Sequence, residues 1–145
     1  MSIRKATSND YPDIMRVWES SVLATHHFLA QADFELFKSI IPTQVLPVLE
    51  LYVMGDRHIA GVLGVADGNL EMLFIEEGSR GAGYGKQLVR FAIDELNVLR
   101  VDVNEQNAQA VGFYKKMGFV QTGRSDVDGM GRPYPLLHLQ YVAGD

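Results

Sequence analysis

The sequence predicts a mixed α/β domain of the α+β kind, built on one mixed, mostly antiparallel sheet of about seven strands flanked by about four helices. Three observations predict it. Apolar runs at residues 49–53, 59–66 and 70–75 are separated by turn residues, the pattern of an antiparallel meander. Apolar residues at helical spacing occur before those runs and again after them. The third run leads through one of these helical stretches into a further strand, residues 98–103, and such a crossover is parallel and right-handed.

The elements follow in order. Residues 3–6 form a short first strand, after which Asn9 or Asp10 caps a helix that tolerates Pro12 in its first turn. Ile14, Val17, Trp18, Ser21 and Thr25 recur at helical spacing, and His26 and His27 end that helix. A second helix fits residues 32–41, with Phe34, Phe37 and Ile41 on one side and Pro42 as its stop. Leu49, Leu51 and Val53 then alternate with Glu50 and Tyr52, and Gly55-Asp56-Arg57 turns the chain. Asp67-Gly68 supplies the positive-φ positions of a hairpin turn. Leu88, Phe91, Ala92 and Glu95 fall on a helix, and Leu99, Val101 and Val103 on one face of the strand after it. Residues 107–117 read as the last helix, with Gly118 at its left-handed cap. Strands at 119–122 and 136–142 close the domain around a Gly-, Asp- and Pro-rich loop at 123–135.

At 145 residues the chain is a single domain over residues 1–145, and it is large enough to bury a core. The net charge of −5 argues against a nucleic-acid partner and favours cationic ones. With no cysteine, disulfides, a thiolate nucleophile and cysteine-based zinc sites are excluded. The histidines lack H-x-x-x-H spacing and Asp126-Val127-Asp128-Gly129 is too short for a calcium loop, so no metal is expected. No apolar leader and no spanning run are seen, so the expectation is a cytoplasmic protein with no membrane partner.

Chemistry concentrates at Ser79-Arg80-Gly81-Ala82-Gly83-Tyr84-Gly85-Lys86, between the 70–75 strand and a helix start. Glycines that permit positive φ, next to unpaired helix N–H groups, make an anion cradle. Two phosphate motifs fail on spacing. G-x-G-x-x-G from Gly81 would need glycine where Lys86 stands, and a P-loop ending at Lys86 would need glycine at Arg80 and a hydroxyl residue at Gln87. A nucleotide-binding reading is disfavoured on both counts.

The stretch does fit R-x-x-G-x-G, as Arg80, Gly83 and Gly85, which resembles motif A of the GNAT superfamily of acyl-CoA-dependent N-acetyltransferases. Leu73-Phe74-Ile75 resembles the end of the family's fourth strand. Asn107-Ala108 through Tyr114 to Gly118-Phe119 resembles its second block, N-x-x-A-x-x-F/L-Y-x-x-x-G-F. Segments 24–26, 103–107 and 131–137 further resemble a bacterial branch for which protein lysine is the suggested acceptor. Glu77 stands where the family often has proline, a surface-loop change.

The resemblance implies a GNAT fold with acetyl-CoA as co-substrate and a primary amine as acceptor, either a protein lysine or a small molecule. A non-catalytic acyl-CoA-binding module is the rival, and the protein is expected as a monomer or a homodimer. Arg80, Gly81, Gly83, Tyr84, Gly85 and Lys86 would then hold the pyrophosphate. The backbone of Phe74 and Ile75 would bond the pantetheine arm, and Asn107 would reach it from the other side. Asn107, Val111 and Tyr114 share a helix face at i, i+4 and i+7. Tyr114 resembles the family tyrosine that protonates the departing thiolate. A phenol of pKa about 10 carries its proton at neutrality, whereas a thiolate of pKa about 8.5 wants one. Phe113 beside it reads as a core aromatic.

The acceptor amine needs a proton acceptor. Glu71, just ahead of Leu73-Phe74-Ile75, is the first candidate, facing either the cleft or solvent. His26 and His27 are the second. They end the helix that covers the acceptor side in this family, and they titrate near neutrality.

Overall fold

The computed structural model describes residues 2–55 and 57–143; the expected turn residue Asp56 lies outside the described residues. Among the described residues seven strands form one sheet: β1 (Ile3–Lys5), β2 (Glu50–Met54), β3 (Gly61–Ala66), β4 (Asn69–Ile75), β5 (Arg100–Asn104), β6 (Phe119–Ser125) and β7 (Leu136–Tyr141). Their order across the sheet is β1-β2-β3-β4-β5-β7-β6, antiparallel throughout except for β4 against β5. Four helices cover it: α1 (Tyr11–Thr25), α2 (Gln31–Ile40), α3 (Tyr84–Leu96) and α4 (Ala108–Lys116).

The sheet separates two cores. On one side Leu88, Val89 and Ala92 of α3 and Tyr114 of α4 pack on Leu63, Leu70, Val101, Val103 and Leu139. On the other, Ile14, Val17 and Trp18 of α1 and Phe34 of α2 pack on Val53, Val62 and Met72. Trp18 and Phe34 stack at 5.2 Å, which fixes α2 against α1. At the start of α1, Asp10 accepts from the Thr7 amide at 2.9 Å and takes a two-pronged contact from Arg4. The Arg4 guanidinium, with the Thr7 amide, holds the Asp10 carboxyl down at about 2. The β3–β4 hairpin turns at Asp67 and Gly68, with φ of 51° and 78°, as the Asp-Gly signal predicts.

Four local expectations are corrected. Pro42 does not stop the second helical stretch. The chain runs on through a wider π turn at Ile41–Val45 and a tight turn at Leu46–Val48. A proline lacks the donor for an ordinary helical bond and crowds the preceding turn, and the wider turn relieves both. Leu99 does not share the buried face of Val101 and Val103: it precedes the strand and is 52% exposed, while Val98 is fully buried. β6 extends three residues further than expected because a register shift between Gln121 and Gly123 lets it keep pairing with β7. The loop before β7 is correspondingly shorter, at residues 126–135. Among the described residues no helix is long and apolar enough to cross a membrane.

Candidate active site

The site begins where two strands part. β4 and β5 pair only at Asn69–Arg100 and Leu70–Val101. The next residue, Glu71, has no partner on β3, because the register passes from Val65–Leu70 to Gly64–Met72. A bulge of this kind bends its strand and increases the local twist, so β4 leaves β5 there. Leu73, Phe74 and Ile75 stay paired with β3 on one edge, and among the described residues no strand pairs with their other edge. Free backbone groups on such an edge suit an extended ligand that lies alongside as an added strand. A cavity of about 330 Å³ fills the fork, with Leu73, Phe74 and Ile75 in its lining.

One end of that cavity is the glycine turn. Gly81 and Gly83 have φ of 85° and 82°, and a Cβ added at either would meet nothing within 4 Å. Glycine is needed there for the left-handed backbone rather than for room. Gly83 is the N-cap of α3, and Gln87 is the first amide to bond back to it, at 3.1 Å from the Gly83 carbonyl oxygen. The N–H groups of Tyr84, Gly85 and Lys86 therefore have no partner within the helix, and all three residues line the cavity. Arg80 lies beside them, its Nη2 donating to Gln109 Oε1 at 2.8 Å across to α4. Unpaired amides at the positive end of a helix, with Arg80 and Lys86 close by, fit a pyrophosphate.

α4 forms the facing wall. Asn107 caps it by accepting from the Ala110 amide at 3.2 Å, so its Oδ1 is engaged and its amide nitrogen remains for a ligand. Tyr114 is only 6% exposed yet borders the cavity, and burial pushes its phenol well above the usual range. The lining residues on this wall are Asn107, Gln109, Ala110, Phe113 and Tyr114; Asn107 and Tyr114 are there as the spacing suggested, and Val111 is not among them. The helix presents a face rotated from the one the spacing suggested. Phe113, expected in the core, is half-buried and forms wall, 3.5 Å from where a Cβ on Gly85 would sit.

The acceptor-side candidates separate. His26, at the C-terminus of α1, lines the cavity with Ser21 and Thr25, whereas His27 lines only a smaller neighbouring hollow of about 160 Å³, which His26 also borders. Burial pushes the His26 imidazole below its ordinary pKa, and His27 adds to the effect. Glu71 does not come to the cavity. It is the exposed bulge residue, bonded at its Oε1 by Asn69 Nδ2 at 3.0 Å. The bulge interrupts the alternation that would have been needed to aim it inward.

Two polar knots hold the surroundings in place. Glu76, just after β4, accepts from Arg16 at 2.8 Å and Ser79 at 2.7 Å and lies 2.8 Å from His58 Nε2. Burial would raise its carboxyl, but those contacts outweigh it and hold Glu76 at about 2. Asp33 of α2 takes close contacts from Arg132 and the Tyr134 hydroxyl, and Tyr134 accepts from the Ala30 amide at 3.1 Å. The loop before β7 is thereby tied to the α1–α2 connection next to His26. Sequence reasoning missed Gln109 and Phe113 at the site. The i, i+3, i+6 spacing of Asn107, Ala110 and Phe113 was the available signal for one of them.

Comparison with known proteins gives the family and the fold. A family model described as an acetyltransferase (GNAT) domain matches residues 28–131. The peptidyl-lysine N-acetyltransferase YjaB of Escherichia coli is 40% identical over 144 residues, 98% of this chain and 97% of that protein. Its Salmonella typhimurium counterpart is 41% identical over 143 residues, 97% of this chain and 98% of its own length. The solution structure of apo YjaB from E. coli superposes with a TM-score of 0.89 at 39% identity, covering 99% of this chain and 98% of that one. The PaiA N-acetyltransferase of Thermoplasma acidophilum, solved in complex with coenzyme A, shares the fold. Its TM-score is 0.75 at 20% identity, over 97% of this chain and 98% of that one.

Proposed function

The chain belongs to the GNAT acetyltransferase family, and we propose that it moves acetyl from acetyl-CoA to the side-chain amine of a protein lysine, by direct attack, with Tyr114 as general acid. The observation that carries this reading is the open β4 edge, which shares one cavity with the anion-binding turn of α3 and with the Tyr114 side chain. Arg80, Lys86 and the backbone of residues 81–86 hold the pyrophosphate. Phe74 and Ile75 bond the pantetheine arm as a neighbouring strand would, and one of their amides orients the thioester carbonyl. The Asn107 amide nitrogen steadies the arm from the opposite wall. Tyr114 stays protonated because it is buried, and it gives its proton to the sulfur as the C–S bond breaks.

Lysine as acceptor is supported by the two bacterial relatives, each named a peptidyl-lysine N-acetyltransferase and each matched over nearly its whole length. Glu71 lies outside the cavity, and this reading assigns it no proton-transfer role. The test incubates the protein with acetyl-CoA and a lysine peptide, beside spermidine and an aminoglycoside. Free thiol release with acetylation of the peptide is expected. Release only with the small amines would overturn the acceptor assignment, and tight CoA binding with no release at all would overturn the enzyme reading.

A further inference from the structure

We propose that His26 takes the proton from the attacking amine at its Nε2, with Thr25 as the positioning residue that leaves that nitrogen bare. The proposal rests on the acetyl-transfer reading above and adds the proton acceptor that reading lacks.

Thr25 Oγ1 lies 2.7 Å from the Ser21 carbonyl oxygen, one helical turn back, and 2.7 Å from His26 Nδ1. A carbonyl can only accept, so the single hydroxyl proton of Thr25 is committed to Ser21. What Thr25 Oγ1 offers His26 is a lone pair. Nδ1 must therefore be the N–H donor, and in the neutral ring Nε2 carries no proton. This is a sequence-local device: a threonine at the end of a helix bonds back to its i−4 carbonyl and presents a fixed acceptor to the next side chain.

The surroundings keep the ring neutral. His26 borders both the larger cavity and the smaller hollow beside it. Leu73 and Phe74 of β4 also line the first space and Phe34 of α2 the second, and the Phe28 ring lies 5.2 Å from the His26 ring. The titratable groups that share these two spaces are His27, Arg80, Tyr84, Lys86 and Tyr114. No carboxylate lines either space among the described residues, so nothing there favours an imidazolium at rest. Burial lowers the ring's pKa in the same direction.

The step balances. A neutral amine donates its lone pair to the acetyl carbon, and its nitrogen becomes acidic as the C–N bond forms. One N–H proton passes to His26 Nε2, the C–S bond breaks, and the sulfur keeps the electron pair and takes the Tyr114 proton. His26 then returns its proton to solvent, and Tyr114 is reprotonated.

Two measurements test this. Nitrogen-15 NMR of the imidazoles should show His26 neutral at pH 7 with Nδ1 protonated and Nε2 bare. In Thr25→Val that preference should be lost, and in Thr25→Ser it should be restored. Kinetically, His26→Gln should keep the KM for acetyl-CoA and lower kcat on the order of 10²-fold, with loss of the acidic limb of the kcat–pH profile. Thr25→Val should lower kcat by a smaller factor and Thr25→Ser should recover it. Circular dichroism and CoA binding establish that each variant is folded. An Nε2-protonated His26 in the unaltered protein, or a folded His26→Gln with kcat within about twofold of it, overturns the proposal while leaving acetyl transfer intact. If the unaltered protein transfers no acetyl group, the underlying reading fails with it.

Discussion

Replacing Gly83 with alanine isolates what the left-handed turn contributes. The residue has φ of 82° and is the N-cap of α3, and an added Cβ there meets no atom within 4 Å. No clash is created, so the whole cost is backbone strain, about 1–2 kcal/mol for a non-glycine residue in this region. For a domain of this size that corresponds to a melting temperature lower by about 2–8 °C. If the backbone relaxes instead, the Tyr84, Gly85 and Lys86 amides turn away from their common target. Losing even one charge-assisted hydrogen bond, about 1.5–3 kcal/mol, weakens CoA binding by roughly 10-fold or more. Gly83→Asn should recover part of both losses, because asparagine tolerates this conformation better. Gly85 has an ordinary φ, and its added Cβ would make ordinary contacts with Phe113 at 3.5 Å and Ile75 at 4.0 Å, so Gly85→Ala should leave the melting temperature nearly unchanged. Thermal unfolding with and without CoA reads all three variants. A Gly83→Ala protein that melts and binds CoA like the unaltered one would refute the reasoning.

Other perturbations follow from the same structure. Tyr114→Phe removes a buried hydroxyl, so it should preserve folding and CoA affinity while cutting kcat about 10²-fold or more, measured by thiol release. Leu88 is fully buried under the turn of α3, and Leu88→Ala should cost about 2–5 kcal/mol in urea unfolding. Glu76 and Asp10 both have carboxyls lowered to about 2 in the folded protein. A depressed folded-state pKa gives stability that is present above the unfolded value, near 4.5 for Glu76, and is lost as pH falls toward about 2. Unfolding free energy should therefore drop across that window, and Glu76→Gln should flatten part of the drop. Arg80→Ala should weaken CoA binding and reduce its salt dependence, seen by calorimetry at two ionic strengths.

The parts legible in the sequence were those set by local chemistry. Asp67-Gly68 announced its hairpin, the helical spacing of Ile14, Val17 and Trp18 announced α1, and the glycines between Arg80 and Lys86 announced the left-handed turn that starts α3. What stayed hidden depended on pairing across the chain. The fork exists because Glu71 is skipped in the β3 register, and nothing local to Glu71 shows that; strict alternation would have kept it a candidate base. Pro42 read as a stop because its missing donor is a local fact, whereas the wider turn that absorbs it is supported by packing around Leu46, which is 1% exposed. The tie from Asp33 to Arg132 and Tyr134 joins residues about a hundred positions apart, and no spacing rule reaches that far.

The central claim is that acetyl-CoA lies along the open edge of β4 with its pyrophosphate on the first turn of α3. Backbone amide NMR during a CoA titration tests it most directly. Saturable shifts are expected at Phe74, Ile75 and residues 81–86, a smaller set at Asn107 and Gln109, and none along β6. Shifts confined to other surfaces, with the amides of Tyr84, Gly85 and Lys86 unmoved at saturation, would contradict it.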